Sequence, residues 1–80
     1  MRRATRSGLR RNAAIVLGNR GDEVAMGPLL EALGDEDPVV RGHVAWAIGR
    51  IDGKHPALTA ALAREPDARV RAELAAALSR

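Results

Sequence analysis

Laid on itself, this chain repeats. Residues 8–19 align with residues 39–50 at an offset of 31, and residues 39–50 align with residues 69–80 at an offset of 30. Leu9, Val40 and Val70 share an aliphatic column, and Arg10, Arg41 and Arg71 share an invariant one. Ala13, Val44 and Leu74 are apolar, Ala14, Ala45 and Ala75 are identical, and Leu17, Ile48 and Leu78 are aliphatic. A period near 30 with helical spacing of its apolar residues marks stacked helical hairpins. No single hairpin buries its own apolar face, so stacking is what makes a core. The expected fold is all-α, a short α-solenoid.

The ends of the helices are also legible. Asp37 before Pro38 is an N-cap followed by proline at the first helical position, and Asp67 takes the same place in the last copy. Thr5 and Ser7 are both candidates in the first copy. Gly18–Asp22 and Gly49–Gly53 supply the turns that stop the long helices. Shorter helices lie between them, with Leu29 and Leu33, then Leu58 and Leu62, at i, i+4 spacing. Pro28 delays or kinks the first of these. The expected helices are 7–19, 23–33, 38–51, 56–64 and 68–79, in a single repeat domain over residues 7–80 behind a basic arm at residues 1–6. Leu74 and Leu78 are expected to lack a shielding helix, which either a dimer through the last repeat or the loss of a downstream segment would account for.

Composition narrows the chemistry. With no cysteine and one aromatic residue, Trp46, the core is expected from Ala, Leu, Val and Ile. Disulfides, thiolate zinc sites and iron–sulfur clusters are excluded within this sequence, and no metal or other cofactor is expected for it. No apolar run reaches the roughly 18 residues of a membrane span, so cytoplasmic residence is expected. Charge is polarised along the chain. Residues 1–21 hold six arginines and no acid, whereas residues 22–80 hold seven bases against ten acids. Such a basic end suits an anionic partner. No nucleophile is spaced beside a base. Asp35-Glu36-Asp37 is read as an acidic helix start, and His55, ahead of Pro56, as an exposed turn residue.

A helical wheel sorts the middle copy into faces at about 100° per residue. Val40, Arg41, Val44, Ala45, Ala47 and Ile48 fall on the side expected to be buried, and His43, Trp46 and Arg50 opposite. The first copy places Asn12, Ile15 and Asn19 outward with Arg11 at the margin, and the third places Glu73, Ala76 and Arg80 there. Outward Trp46 between His43 and Arg50 suits base stacking or partner docking. Arg10, Arg41 and Arg71 lie near the buried side in an Asp-x-x-Val-Arg pattern and are expected to be structural, exchanging Arg–Asp hydrogen bonds between copies as a ladder.

The pattern Asp-x-x-Val-Arg-x-x-x-Ala-x-x-Leu/Ile-Gly resembles HEAT and phycobilisome-lyase-type repeats over nearly the whole chain. Two longer strings, Leu9–Asn19 and Arg41–Ile51, resemble the C-terminal helical repeats of tRNA epoxyqueuosine reductases. The resemblance rests on Arg-Asn…Leu-Gly-Asn and His-x-Ala-Trp-Ala-Ile. It implies a part in queuosine biosynthesis, in a family whose enzymes use cobalamin and two [4Fe–4S] clusters at the tRNA wobble position. A chain without cysteine and without a cobalamin domain carries over binding alone, not reductase activity. The positions implied are Arg11, Asn12, Asn19, His43, Trp46 and Arg50. The resemblance fits both an excised C-terminal part of such an enzyme and a free-standing protein.

Two functions follow as expectations. One is a module that binds the tRNA anticodon arm, with Arg2, Arg3, Arg6, Arg11 and Arg50 at phosphates. The other is a protein-interaction scaffold, with Trp46 as anchor against a helix or the catalytic domain of the same family.

Overall fold

The computed structural model describes residues 13–15 and 25–79. Residues 13–15 are helical, and four helices follow: α1 (Met26–Ala32), α2 (Pro38–Asp52), α3 (Pro56–Arg64) and α4 (Ala68–Leu78). The last three match their expected bounds to within a residue. The described part of the second expected helix is shorter than 23–33. Pro28 falls in the first turn of α1, where its missing N–H would have no intrahelical acceptor. The basic arm and the expected helix 7–19, apart from residues 13–15, lie outside the described residues, as do Arg11, Asn12, Asn19 and Arg80.

The helix starts are built as the sequence requires. The Asp37 carboxylate accepts from the Val39 N–H at 2.9 Å, and the Asp67 carboxylate accepts from Arg69 N–H at 2.8 Å and Val70 N–H at 3.3 Å. These backbone bonds hold the Asp67 carboxyl below its ordinary range. His55 corrects an expectation. It is half-buried and caps α3, its Nδ1 accepting from the Ala57 N–H at 3.1 Å. An imidazole nitrogen can replace a carboxylate oxygen at this position because the N–H it receives points along the ring plane, and Pro56 fixes the first turn.

Packing runs mainly along α2 and α4, with α1 against α2 and α3 against α4. Every apolar residue of α2 sorted to the inner side is buried: Val40, Val44, Ala45, Ala47 and Ile48 are all at or below 1% exposure. Leu29 from α1, Leu58 and Ala61 from α3, and Val70, Leu74 and Ala77 from α4 complete one cluster. Alanines at 45, 47 and 77 let the helix axes approach closely, as an aromatic-free core requires. Leu74 departs from expectation. It is fully buried, and only Leu78 of the pair is partly open. The half-repeat at the end of the chain therefore covers Leu74 within the shared core, with α4 packed on α2 and α3.

Among the described residues one rung of the expected arginine ladder links two repeats, and its acceptor is a glutamate instead of the expected aspartate. Arg41 forks onto Glu65, Nε to Oε1 and Nη2 to Oε2, both at 2.8 Å. Its Nη1 donates to the Asp35 and Glu36 carbonyls at 2.8 and 3.2 Å. Arg71 repeats the second half of this pattern, Nη1 donating to the Glu65 and Pro66 carbonyls at 2.9 and 2.8 Å. The capping aspartates are already committed to backbone N–H groups, so the glutamate two residues earlier receives the arginine of the preceding repeat. Glu65 also accepts from the Asp67 N–H at 2.9 Å, and Asp35 accepts from the Asp37 N–H at 2.8 Å. The acid–x–Asp string is thus a loop brace as well as a helix start. The fork holds the Glu65 carboxyl below its ordinary value and raises Arg41. Arg10 lies outside the described residues.

Candidate functional site

The outer side of α2 borders a groove of about 730 Å³ between α2 and α4. Pro38, Val39, Gly42, His43 and Trp46 form one wall, Asp67, Arg69, Val70, Ala72 and Glu73 the other, and Ile15 reaches one end. Helical spacing explains the first wall, because positions 39, 42, 43 and 46 differ by three or four and share a face. Gly42 keeps the groove open at its middle. A Cβ there would lie 3.8 Å from the Glu73 Cγ, in ordinary contact across the gap.

Three of the six expected site residues are in view, and they are adjacent. His43 and Trp46 both line the groove. The Arg50 guanidinium carbon lies 5.5 Å from the centroid of the Trp46 ring, within cation–π range. Trp46 is on the expected side of α2, but its ring is half-buried and packs against the core. An indole is wider than the outer strip of a helix, so one edge leans on the apolar layer while the rest meets the groove. His43 Nδ1 lies 2.8 Å from the Val39 carbonyl. A carbonyl only accepts, so Nδ1 carries the proton and Nε2 is left for a ligand. The arrangement offers an aromatic surface, a guanidinium stacked on it and an imidazole nitrogen, a set of groups suited to planar, polar ligands. Among the described residues no group of three or more His, Cys, Asp or Glu is placed to hold a metal ion.

Glu73 and Ala76 are exposed, as the wheel requires, whereas Ile15 is half-buried at the end of the groove. Val39 is the large apolar side chain that sequence reasoning missed; it is 40% exposed beside the groove. The wheel contained it, at an angle between those of Trp46 and Arg50, but its column is not conserved in character between copies. Arg69 across the groove fell in the same unmatched column. Glu65 was signalled more plainly, since it lies 30 residues after Asp35 in a repeat of that offset.

Comparison with known proteins agrees with the architecture. The family profile described as HEAT repeats matches residues 1–79. An epoxyqueuosine reductase of Listeria monocytogenes serovar 1/2a is 38% identical over 71 residues, covering 85% of this chain and 19% of that protein. An uncharacterized protein in the gldA 3′ region of Geobacillus stearothermophilus is 36% identical over 69 residues, covering 82% of this chain and 32% of that protein. The chain thus spans a fifth to a third of the length of these curated relatives. No helix among the described residues is long and apolar enough to cross a membrane. With a repeat of 30 to 31 residues, aspartate-capped helices, an arginine–glutamate fork between copies and a profile match over almost its full length, the chain belongs to the HEAT repeat family.

Proposed function

We propose that this chain is a non-catalytic binding module that contributes tRNA binding, at the anticodon arm, as the C-terminal part of an epoxyqueuosine reductase in queuosine biosynthesis. The observation that carries the reading is the 38% identity over 71 residues with the Listeria reductase. The geometry of α2 is compatible with it. Trp46 with Arg50 on its ring provides a platform for an unpaired base, and His43 stands one turn away. The acid-free stretch 1–21, with Arg11, Asn12 and Asn19, supplies cations and amides for the backbone. Four phosphate contacts make log affinity fall by about 3 units per tenfold rise in salt, at ~0.7–0.9 per contact. The test is tRNA binding by the 80-residue chain at several salt concentrations. A steep slope that flattens in Arg11→Ala with Arg50→Ala supports the reading, and no binding at low salt refutes it.

A protein-interaction scaffold is the second reading, and one observation favours it. The α4 wall carries Glu73 and the Asp67–Arg69 ion pair opposite exposed Val39, a net-acidic setting that suits a basic helix with an apolar face. On that reading Trp46→Ala weakens a protein complex and leaves tRNA binding unchanged.

A further inference from the structure

The groove between α2 and α4 is unbalanced in its hydrogen-bonding groups. His43 and Glu73 are 30 residues apart, the offset of the repeat, so they hold the same position on neighbouring helices and line one groove. Each brings an acceptor. The Nδ1–H of the neutral His43 ring is committed to the Val39 carbonyl, which leaves the lone pair of Nε2. Glu73 is exposed, and among the described residues its carboxylate makes no hydrogen bond or ion pair. Its stem crosses toward α2, where a Cβ on Gly42 would meet its Cγ at 3.8 Å. Trp46 follows Gly42 by one helical turn on the same face. The one cation of the lining, Arg69, is 3.7 Å from the Asp67 carboxylate, and the remaining lining is aliphatic or glycine.

Acceptors beside an aromatic face select a planar ligand whose edge donates. A carboxylate repels a phosphate but accepts from the edge of a base, so this wall admits a base and turns the backbone away. Uracil offers one N–H between two carbonyls, and adenine and cytosine each set an amino group beside a ring acceptor. Guanine alone presents N1–H and N2–H side by side, the spacing that a carboxylate receives with both oxygens. We infer that this groove takes an unpaired guanine, its Watson–Crick edge on Glu73 and its face toward Trp46. The inference rests on the RNA reading and adds base specificity to it. Glu73 sets the preference, while affinity for phosphates comes from the arginines elsewhere.

The probes are decaribonucleotides of uridine in which one central position is guanosine, inosine, adenosine, cytidine or uridine, titrated at low salt against Trp46 emission of the 80-residue chain. The guanosine decamer should bind about tenfold more tightly than the adenosine one. Inosine lacks the 2-amino group and should lose most of that margin. Glu73→Gln should bring guanosine down to the level of adenosine and leave the other decamers unchanged, because the amide offers one oxygen and sets an N–H against the donors of the base. Equal affinities for all decamers, or a guanosine preference that survives Glu73→Gln, would overturn the inference and leave the RNA reading standing. So would tRNA binding with none of the decamers bound, whereas failure of tRNA as well would overturn the RNA reading beneath it. A helical peptide of leucine and lysine that changes Trp46 emission through Glu73, where the guanosine decamer does not, would give the groove to a protein and overturn the inference too.

Discussion

Removing Glu65 should cost more than any other single change to a charged residue among the described helices and loops. Its side chain is 6% exposed and that of Arg41 17%, and the two share a pair of 2.8 Å bonds. Glu65→Ala strips both bonds and the brace to the Asp67 N–H. It leaves a largely covered guanidinium with two carbonyl acceptors. Breaking a fully buried pair costs about 3–5 kcal/mol, and hydrogen bonds to charged groups contribute about 1.5–3. The remaining carbonyl bonds and the partial exposure of Arg41 place the expected loss at about 2–4 kcal/mol. A chain of this size has only about 4–12 kcal/mol in total, and each kcal/mol shifts Tm by about 6 °C. The assay is urea unfolding followed by far-ultraviolet circular dichroism on wild type, Glu65→Ala, Arg41→Ala and the double variant. The double-mutant cycle should give a coupling of about 1.5–3 kcal/mol. Coupling below about 0.5 kcal/mol would refute the claim that the fork joins the repeats energetically.

Acid should weaken the fold through the same group. The Glu65 carboxyl binds its proton less readily folded than unfolded. Its contribution is therefore complete above the ordinary value of 4.5 and is lost as pH falls below it toward the depressed folded value. Urea midpoints measured from pH 6 downward should decline more steeply for wild type than for Glu65→Gln. Gly42→Ala should stabilise by about 0.5–1 kcal/mol in the same unfolding assay, because the added Cβ meets only ordinary contact and removes the helix penalty of glycine. Leu74→Ala should lose about 2–5 kcal/mol, since Leu74 is fully buried despite its place in the last half-repeat. An effect below 1 kcal/mol would mean that α4 is loosely held.

The parts of the fold legible in the sequence were those that the repeat makes redundant. Val40 and Val70, Val44 and Leu74, and Ile48 and Leu78 were matched in pairs, so the wheel for α2 identified its buried face. The Asp37 and Asp67 caps were likewise seen twice. What escaped depends on tertiary neighbours. The covering of Leu74 depends on how α4 packs against α2 and α3 in the shared core. The Arg41 acceptor lies 24 residues away, in a loop that offers both Glu65 and Asp67. The site was legible to the level of a face. His43, Trp46 and Arg50 do lie together on one side of α2, but the groove was not foreseeable, because its second wall comes from α4 and its depth from Gly42.

Trp46 is the only tryptophan, and the chain has no tyrosine, so its fluorescence reports on the proposed site alone. Titration with a tRNA anticodon stem–loop at low salt, observing this emission, tests the binding account most directly. Stacking of an unpaired base on the indole should quench the emission along a saturable curve, and added salt should shift that curve to weaker affinity. Emission that stays unchanged while the RNA binds, or no binding at all, would contradict a role for the Trp46–Arg50 surface in meeting RNA.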